Sequence, residues 1–299
     1  MNEKETLPVA ERDRERLERE HQKDLERIRG FRLIDDDFMN VCFDDNIPVT
    51  ELLLRIILGR QVFVKQVRTQ RNFKNLVGRD LYLDVLAVED DGTQMNVEIQ
   101  RSDSGADPKR ARYHSSILDS HSLKPGEDFT RLPETYVIFI TENDVLGDDQ
   151  QIYRIERTIR DSGKPFGDGE HIVYVNCEIR DDGTELGKLI HDFFCEDPGD
   201  MNYSVLADRV RYFKEDTKGV RTMCKVIEEM RKEVWNEAWD EAWDEAWNEA
   251  WGKASSEAEL KTKEASVRRM YLKGFPADQI AYIIDLPVDE VKNIISSES

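Results

Sequence analysis

The stretch "LYLDVLAVEDDGTQMNVEIQRS", residues 81–102, sets two short apolar runs on either side of a polar turn, with Asp84 in the first and Glu98 in the second. Strand side chains alternate between faces, so Glu98 and Gln100 point one way while Val97 and Ile99 point the other. Asp91-Gly92 supplies the turn chemistry of a hairpin. On this reading Val97 and Ile99 anchor the strand in a core, and Glu98 and Gln100 face outward beside Asp84.

The neighbouring sequence extends the pattern in both directions. Residues 61–68 read as a further strand, preceded by "NIPVTELLLRIILG", an apolar helical run of about ten residues with Thr50 as N-cap and Gly59 as its stop. Glu51 falls in its first turn. Beyond the hairpin a Gly/Asp/Pro loop at 103–108 leads into "KRARYHSSILDSHSL", of helical character. "ETYVIFITEND" is then a continuous apolar, β-branched run, as expected of a strand covered on both faces. "HIVYVNCEI" (171–179) reads as another strand, and "ELGKLIHDFFC" and "YSVLADRVRYFKED" as helices. This order predicts an α/β or α+β fold over residues 31–232, a central mixed sheet with helices on its faces.

Two flanking regions differ in composition. Residues 1–30 are dense in Glu and Arg at helical spacing with little apolar surface, which predicts an exposed charged helical arm. All five tryptophans occur in "VWNEAWDEAWDEAWNEAWGKA", a tetrapeptide repeat from Trp235 to Trp251. A period of four on a helix drifts by about 40° per repeat, so the Trp stripe winds and cannot form a heptad seam. Such a stripe over 233–254 predicts a spacer or a homo-oligomer contact with another copy of the chain. The tail, 255–299, breaks at Gly274 and around 285–287 into three short amphipathic helices resembling a small helix-turn-helix unit. The acids of "DLPVDEV" argue against its reading DNA.

The chain has 299 residues, 39% of them hydrophobic, enough to bury a core. It opens on charge without the pattern of a signal peptide, and "ELLLRIILG" is too short to cross a bilayer, so a cytoplasmic, non-membrane protein is expected. Cys42, Cys177, Cys195 and Cys224 lack metal-ligand or disulfide spacing and read as reduced thiols. A net charge of -20 excludes a protein that coats nucleic acid indiscriminately. Yet Arg55 to Arg79 contains Arg68, Arg71 and Lys74 among its bases and no acid, and Arg101, Lys109, Arg110 and Arg112 follow the hairpin. Basic runs on both flanks of an acidic face suit a DNA backbone. His114 and His121 have no nucleophile or partner at defined spacing and read as ordinary polar residues.

Carboxylates on adjacent strands make a natural site for Mg²⁺, which needs only one or two of them when a substrate phosphate completes its oxygen shell. Asp84 and Glu98 are the expected ligands, with the Ile99 carbonyl as a third and Gln100 orienting the attacking water or a phosphate oxygen. The competing reading, two acids on a solvated face paired with nearby arginines, stays open at this level.

The hairpin pattern resembles the PD-(D/E)XK nuclease superfamily, and within it the recombination-promoting nuclease and transposase branch, where an Asp-Val strand precedes a Glu-x-Gln strand. "KRARYHSSILD", "ETYVIFITEND" and "GFPADQIAYIIDLPVDEV" are similar to later parts of that family, so the resemblance spans roughly residues 35–299. It implies a restriction-endonuclease-like α/β fold with a C-terminal helical extension, and Mg²⁺-dependent DNA endonuclease activity, with Mn²⁺ as a substitute. It further implies Asp84 and Glu98 as metal ligands, Gln100 where many members carry lysine, Glu51 as an auxiliary acid, and Arg110 and Arg112 facing the phosphate backbone. The alternative is a catalytically silent DNA-binding or self-assembling protein that keeps the fold.

Overall fold

A computed structural model of the chain describes residues 9–73, 81–101 and 103–296. The chain forms two compact units, Met1–Ile227 and Glu228–Ser299.

The first unit is built on a six-stranded mixed sheet of order β1-β2-β3-β4-β6-β5, comprising β1 (Val64–Phe73), β2 (Leu81–Glu89), β3 (Gln94–Gln100), β4 (Thr135–Thr141), β5 (Ile152–Ile155) and β6 (Glu170–Asn176). The first three strands form an antiparallel meander, β3, β4 and β6 run parallel, and β5 returns antiparallel at the edge. Gly92 closes the β2–β3 turn at a φ of 97°, a conformation that costs glycine little. The expected architecture, an α/β mixed sheet flanked by helices and consistent with a restriction-endonuclease-like fold, is the one observed.

Parallel strands need crossovers, and the helices that supply them cover the faces. Between β3 and β4 the chain forms α4 (Pro108–Ser122), whose Ala111, Ile117 and Leu118 pack with Val137, Phe139 and Tyr174 of the sheet. Residues of the opposite parity, including Val97, Ile99, Ile138 and Ile140, are buried as well. Four further helices complete the core of this unit: α2 (Asp36–Phe43), α3 (Ile47–Leu58), α5 (Glu185–Phe194) and α6 (Ser204–Glu215). Because both faces of β3 are covered, Glu98 does not face outward as its alternation suggested; it is fully buried.

Several local expectations are corrected. The N-terminal arm is α1 (Val9–Gly30), but its last turns are packed, with Ile28 fully buried. The sequence reading omitted α2, whose Phe38, Met39, Cys42 and Phe43 are all buried. Its last carbonyls receive the Arg209 guanidinium, from Nε to Cys42 O at 2.9 Å and from Nη2 to Val41 O at 3.2 Å. The N-cap of α3 is Asn46, whose Oδ1 accepts from Val49 N–H, and not Thr50. Thr50 lies a turn inside, donating its hydroxyl back to Asn46 O at 2.9 Å. Gly59 ends α3 as expected, in the left-handed region at a φ of 67°.

The long helix α7 (Thr217–Leu272) is followed by α8 (Ala277–Ile284) and α9 (Val288–Ser296). In the second unit Val267, Ile280, Ala281, Val291 and Ile294 form a small core. No helix among the described residues is long and apolar enough to cross a membrane. Cys42, Cys177, Cys195 and Cys224 form no disulfide.

Candidate active site

The β2–β3 ladder runs from Val88↔Gln94 to Val85↔Val97 and stops there, one step short of Asp84 and Glu98. Beyond it the two carboxylates act as the acceptors. Ile99 N–H donates to Asp84 Oδ2 at 3.0 Å, and Asp84 N–H donates to Glu98 Oε1 at 3.2 Å. Each acid is thereby fixed by the other strand. Ile99 directs its N–H toward β2, and the N–H and C=O of one strand residue share an edge, so its carbonyl faces the same side.

Behind Glu98 lies a polar cluster from β3 and α4. Glu98 Oε1 also accepts from Asn96 Nδ2 at 3.0 Å, and the same amide nitrogen lies 3.1 Å from His114 Nδ1. Arg110, one turn earlier on α4, donates from Nε to His114 Nε2 at 3.3 Å and holds Nη2 at 3.7 Å from Glu98 Oε2. Residues four apart share a helix face, which is why Arg110 and His114 meet the same strand. Glu98 Oε2 is buried without a hydrogen bond.

Electrostatics distinguish this pair from surface acids. Burial is the main cause that raises Asp84, followed by the charges of Glu98 and Asp36, against the Ile99 N–H and Arg110. Burial likewise raises Glu98, opposed by the Asn96 and Asp84 N–H bonds and by Arg110, with Asp36 adding to the rise. Asp36 is itself raised, first by burial and then by Asp37. His114 is pushed down to about 3 by burial and by Arg110, and is therefore neutral near pH 7. The solvated-face reading of Asp84 and Glu98 is excluded by the full burial of Glu98.

The other expected site residues are distributed unevenly. Gln100 is half-buried, its amide lying against Gly105, where an added Cβ would collide with Oε1. Glu51 is away from the pair: its Oε1 accepts from Val64 N–H at 2.9 Å, where β1 begins beside Glu89. At strand rise that is about 17 Å along β2 from Asp84. The third acid near the pair is Asp36, in the first turn of α2.

Among the bases, Arg101 is bound to Glu142 Oε2 and Asp35 Oδ1, each at 3.1 Å, which also brings the start of α2 beside the end of β3. Arg68 lies 3.6 Å from Asp45, and Arg71 stands over the Phe73 ring. Arg112 lines a small cleft with Ile155, Arg157 and Glu170, near the start of β6 and at the other end of the sheet from Gln100. Lys74 and Arg79 lie outside the described residues.

Sequence reasoning passed over Asn96, His114 and Asp36. Asn96 had a signal, since it shares strand parity with Glu98. His114 had one too, four residues after Arg110.

A second cluster, His191, Asp192 and Cys195, has metal-ligating side chains within reach of one another. Its buried carboxylate is already engaged: Asp192 Oδ1 accepts from Asn202 N–H and Nδ2, and Oδ2 from Tyr203 N–H. Burial, then Asp192, pushes the Cys195 thiol up to about 11, which disfavours the thiolate a metal would need. This cluster holds the loop between α5 and α6.

Residues 51–183 match the family described as PD-(D/E)XK nuclease family transposase, which bears out the resemblance carried by the hairpin. The matched segment runs from α3 past β6 and contains Asp84, Asn96, Glu98, Gln100, Arg110 and His114. No curated protein and no solved structure matches the chain significantly.

Proposed function

We propose that this chain, nuclease-like over residues 51–183, is a divalent-metal-dependent endonuclease that hydrolyses DNA phosphodiesters. The observation that carries the reading is the buried, mutually fixed pair Asp84 and Glu98, with Glu98 Oε2 lacking a hydrogen bond. An orphaned carboxylate oxygen beside a second acid is a costly arrangement for a structural role and a suitable one for a cation.

The donor set fits Mg²⁺, or Mn²⁺ in its place: Asp84, Glu98 and the Ile99 carbonyl are hard oxygens, and no thiol or imidazole belongs to the set. Asp36, in place of the more distant Glu51, is the acid suited to assist. When bound, such an ion polarises the phosphodiester and lowers the pKa of water. The chain's own residues do the remaining work. Gln100 orients the attacking water or a phosphate oxygen by hydrogen bonding, and Arg110 offers the positive charge that an amide at position 100 cannot. His114 and Asn96 hold Glu98 and Arg110 in register. The attacking water gives up one proton to solvent as its oxygen bonds to phosphorus, the bond to the leaving sugar oxygen breaks, and that oxygen takes up a proton from solvent, a net addition of water.

Arg68, Arg71, Lys74, Arg79, Arg101, Arg110 and Arg112 are the proposed backbone contacts. Arg101 would have to exchange its bonds to Glu142 and Asp35 for phosphate. Support for a second reading, a silent DNA-binding protein, comes from Gln100 itself, whose amide rests on Gly105.

The test is cleavage of supercoiled plasmid with Mg²⁺ or Mn²⁺, comparing the wild type with Asp84→Asn and Glu98→Gln. Metal-dependent nicking that both variants lose supports hydrolysis at this site. Equal nicking by all three would overturn it, and salt-sensitive binding without nicking would favour the silent reading.

A further inference from the structure

The described tryptophans of α7 are unusually open: Trp235, Trp239, Trp243 and Trp247 are 70%, 61%, 61% and 58% exposed. Within each tetrapeptide the Trp and Ala positions lie about 60° apart around the helix, and the two polar positions fall on the opposite side. The repeat is therefore amphipathic at every turn, with its apolar line advancing by about 40° per repeat. Between Glu233 and Glu249 there are seven acids and no base, all at the polar positions of the four-residue period.

We infer that this segment is a self-pairing surface that takes the same segment of a second copy. Three observations choose that occupant. The line alternates the largest side chain with a small one, so Trp of one copy has an Ala-sized recess to enter on the other, as knobs enter holes. The acids lie away from the line, so two copies can pair with their charges left in water, whereas DNA would meet repulsion. Fully burying an aromatic side chain removes 150–250 Å², so these exposures leave roughly 400–600 Å² per copy to cover. That exceeds the usual scattered apolar surface and approaches the ~800 Å² per partner of a stable interface.

The geometry of the pair follows from the period. A repeat longer than 3.6 residues winds right-handed, and an advance of about 120° within about 18 Å is too steep for parallel helices to follow. The two helices cross in a right-handed sense, in contact over the repeat alone. This pairing is independent of whether the first unit hydrolyses DNA.

All five tryptophans lie in the repeat, so the emission of the full-length chain reports on this surface alone. Sedimentation equilibrium of the full chain should show a monomer–dimer transition, with Trp emission moving to the blue over the same concentrations and no weakening by salt. W239A/W243A, which keeps helix propensity, should weaken the dimer about 100-fold with helix content unchanged. Filling the recesses with A242Q/A246Q should weaken it about tenfold. A chain that stays monomeric at roughly 100 μM overturns the inference, since an interface of this area should hold there. So does association that survives both double substitutions, or emission that shifts only when polylysine is added, which would assign the surface to a basic partner.

Discussion

At the scale of single residues, the decisive property is that Asp84 and the buried Glu98 are hydrogen-bonded across the hairpin and both raised, chiefly by burial. Asp84 is pushed up from 3.8 to about 9 and Glu98 from 4.5 to about 7, so the metal-free folded protein binds protons that the unfolded chain has released. The sign follows: this contribution to stability is full below about pH 4 and is lost as pH rises toward 9. Asp84→Asn removes the larger of the two contributions. In excess chelator at pH 8 it should stabilise the protein by on the order of 1 kcal/mol, roughly 2–4 °C in melting temperature, with little difference at pH 4. Calorimetry at both pH values checks this, and a variant melting lower at pH 8 would contradict it. On the proposed reading the same protons would leave when a cation binds. Titration with Mg²⁺ near pH 7 in weak buffer should release about one proton per ion, with affinity rising toward pH 9 and both effects absent in Glu98→Gln. His114 is neutral and fully buried, so His114→Ala leaves Asn96 and Arg110 short of a partner. The expected cost is about 1–3 kcal/mol in denaturant unfolding, with cleavage falling further than stability explains.

At the scale of elements, the site exists because a ladder ends early. Pairing of β2 with β3 stops at Val85↔Val97, and the main-chain donors beyond it turn to carboxylates. The short 3₁₀ turn at Asp103–Ala106 then supports Gln100 through Gly105. Gly105→Ala should displace the Gln100 amide and lower turnover about tenfold, with a melting point within about 2 °C of wild type. Equal turnover would show that Gln100 is not positioned by this contact. The α3 cap offers a cleaner measurement: Asn46→Ala should cost about 1 kcal/mol in denaturant unfolding. The sequence contained this answer, because Pro48 belongs in the first turn of a helix that starts before Thr50. The omitted α2 and β5 are short, eight and four residues, and too brief for periodicity to separate from loop.

At the scale of the whole molecule, a net charge of -20 must coexist with binding to a polyanion on the proposed reading. Affinity for DNA should therefore be modest and fall steeply with salt, and neutralising Arg110 should lower the slope of log K against log[salt] by about one. A slope unchanged by Arg110→Gln would remove that residue from the backbone contacts. The sequence by itself determined the hairpin, the two apolar strands at 135–141 and 171–179, the acids at 84 and 98, and a winding Trp helix. Each rests on local rules: strand alternation, turn chemistry and helical period. It could not determine that the Glu98 face is buried, because period-two alternation separates the two faces of a strand without saying what covers each. Only the packing of α4 over β3 brought Arg110 and His114 to Glu98 and its strand neighbour Asn96. Only the placement of α2 puts Asp36 near the pair, while Glu51 is engaged at the start of β1. These are contacts between elements distant in the chain, set by which apolar faces pack together, and the acids are raised by the desolvation that this packing imposes.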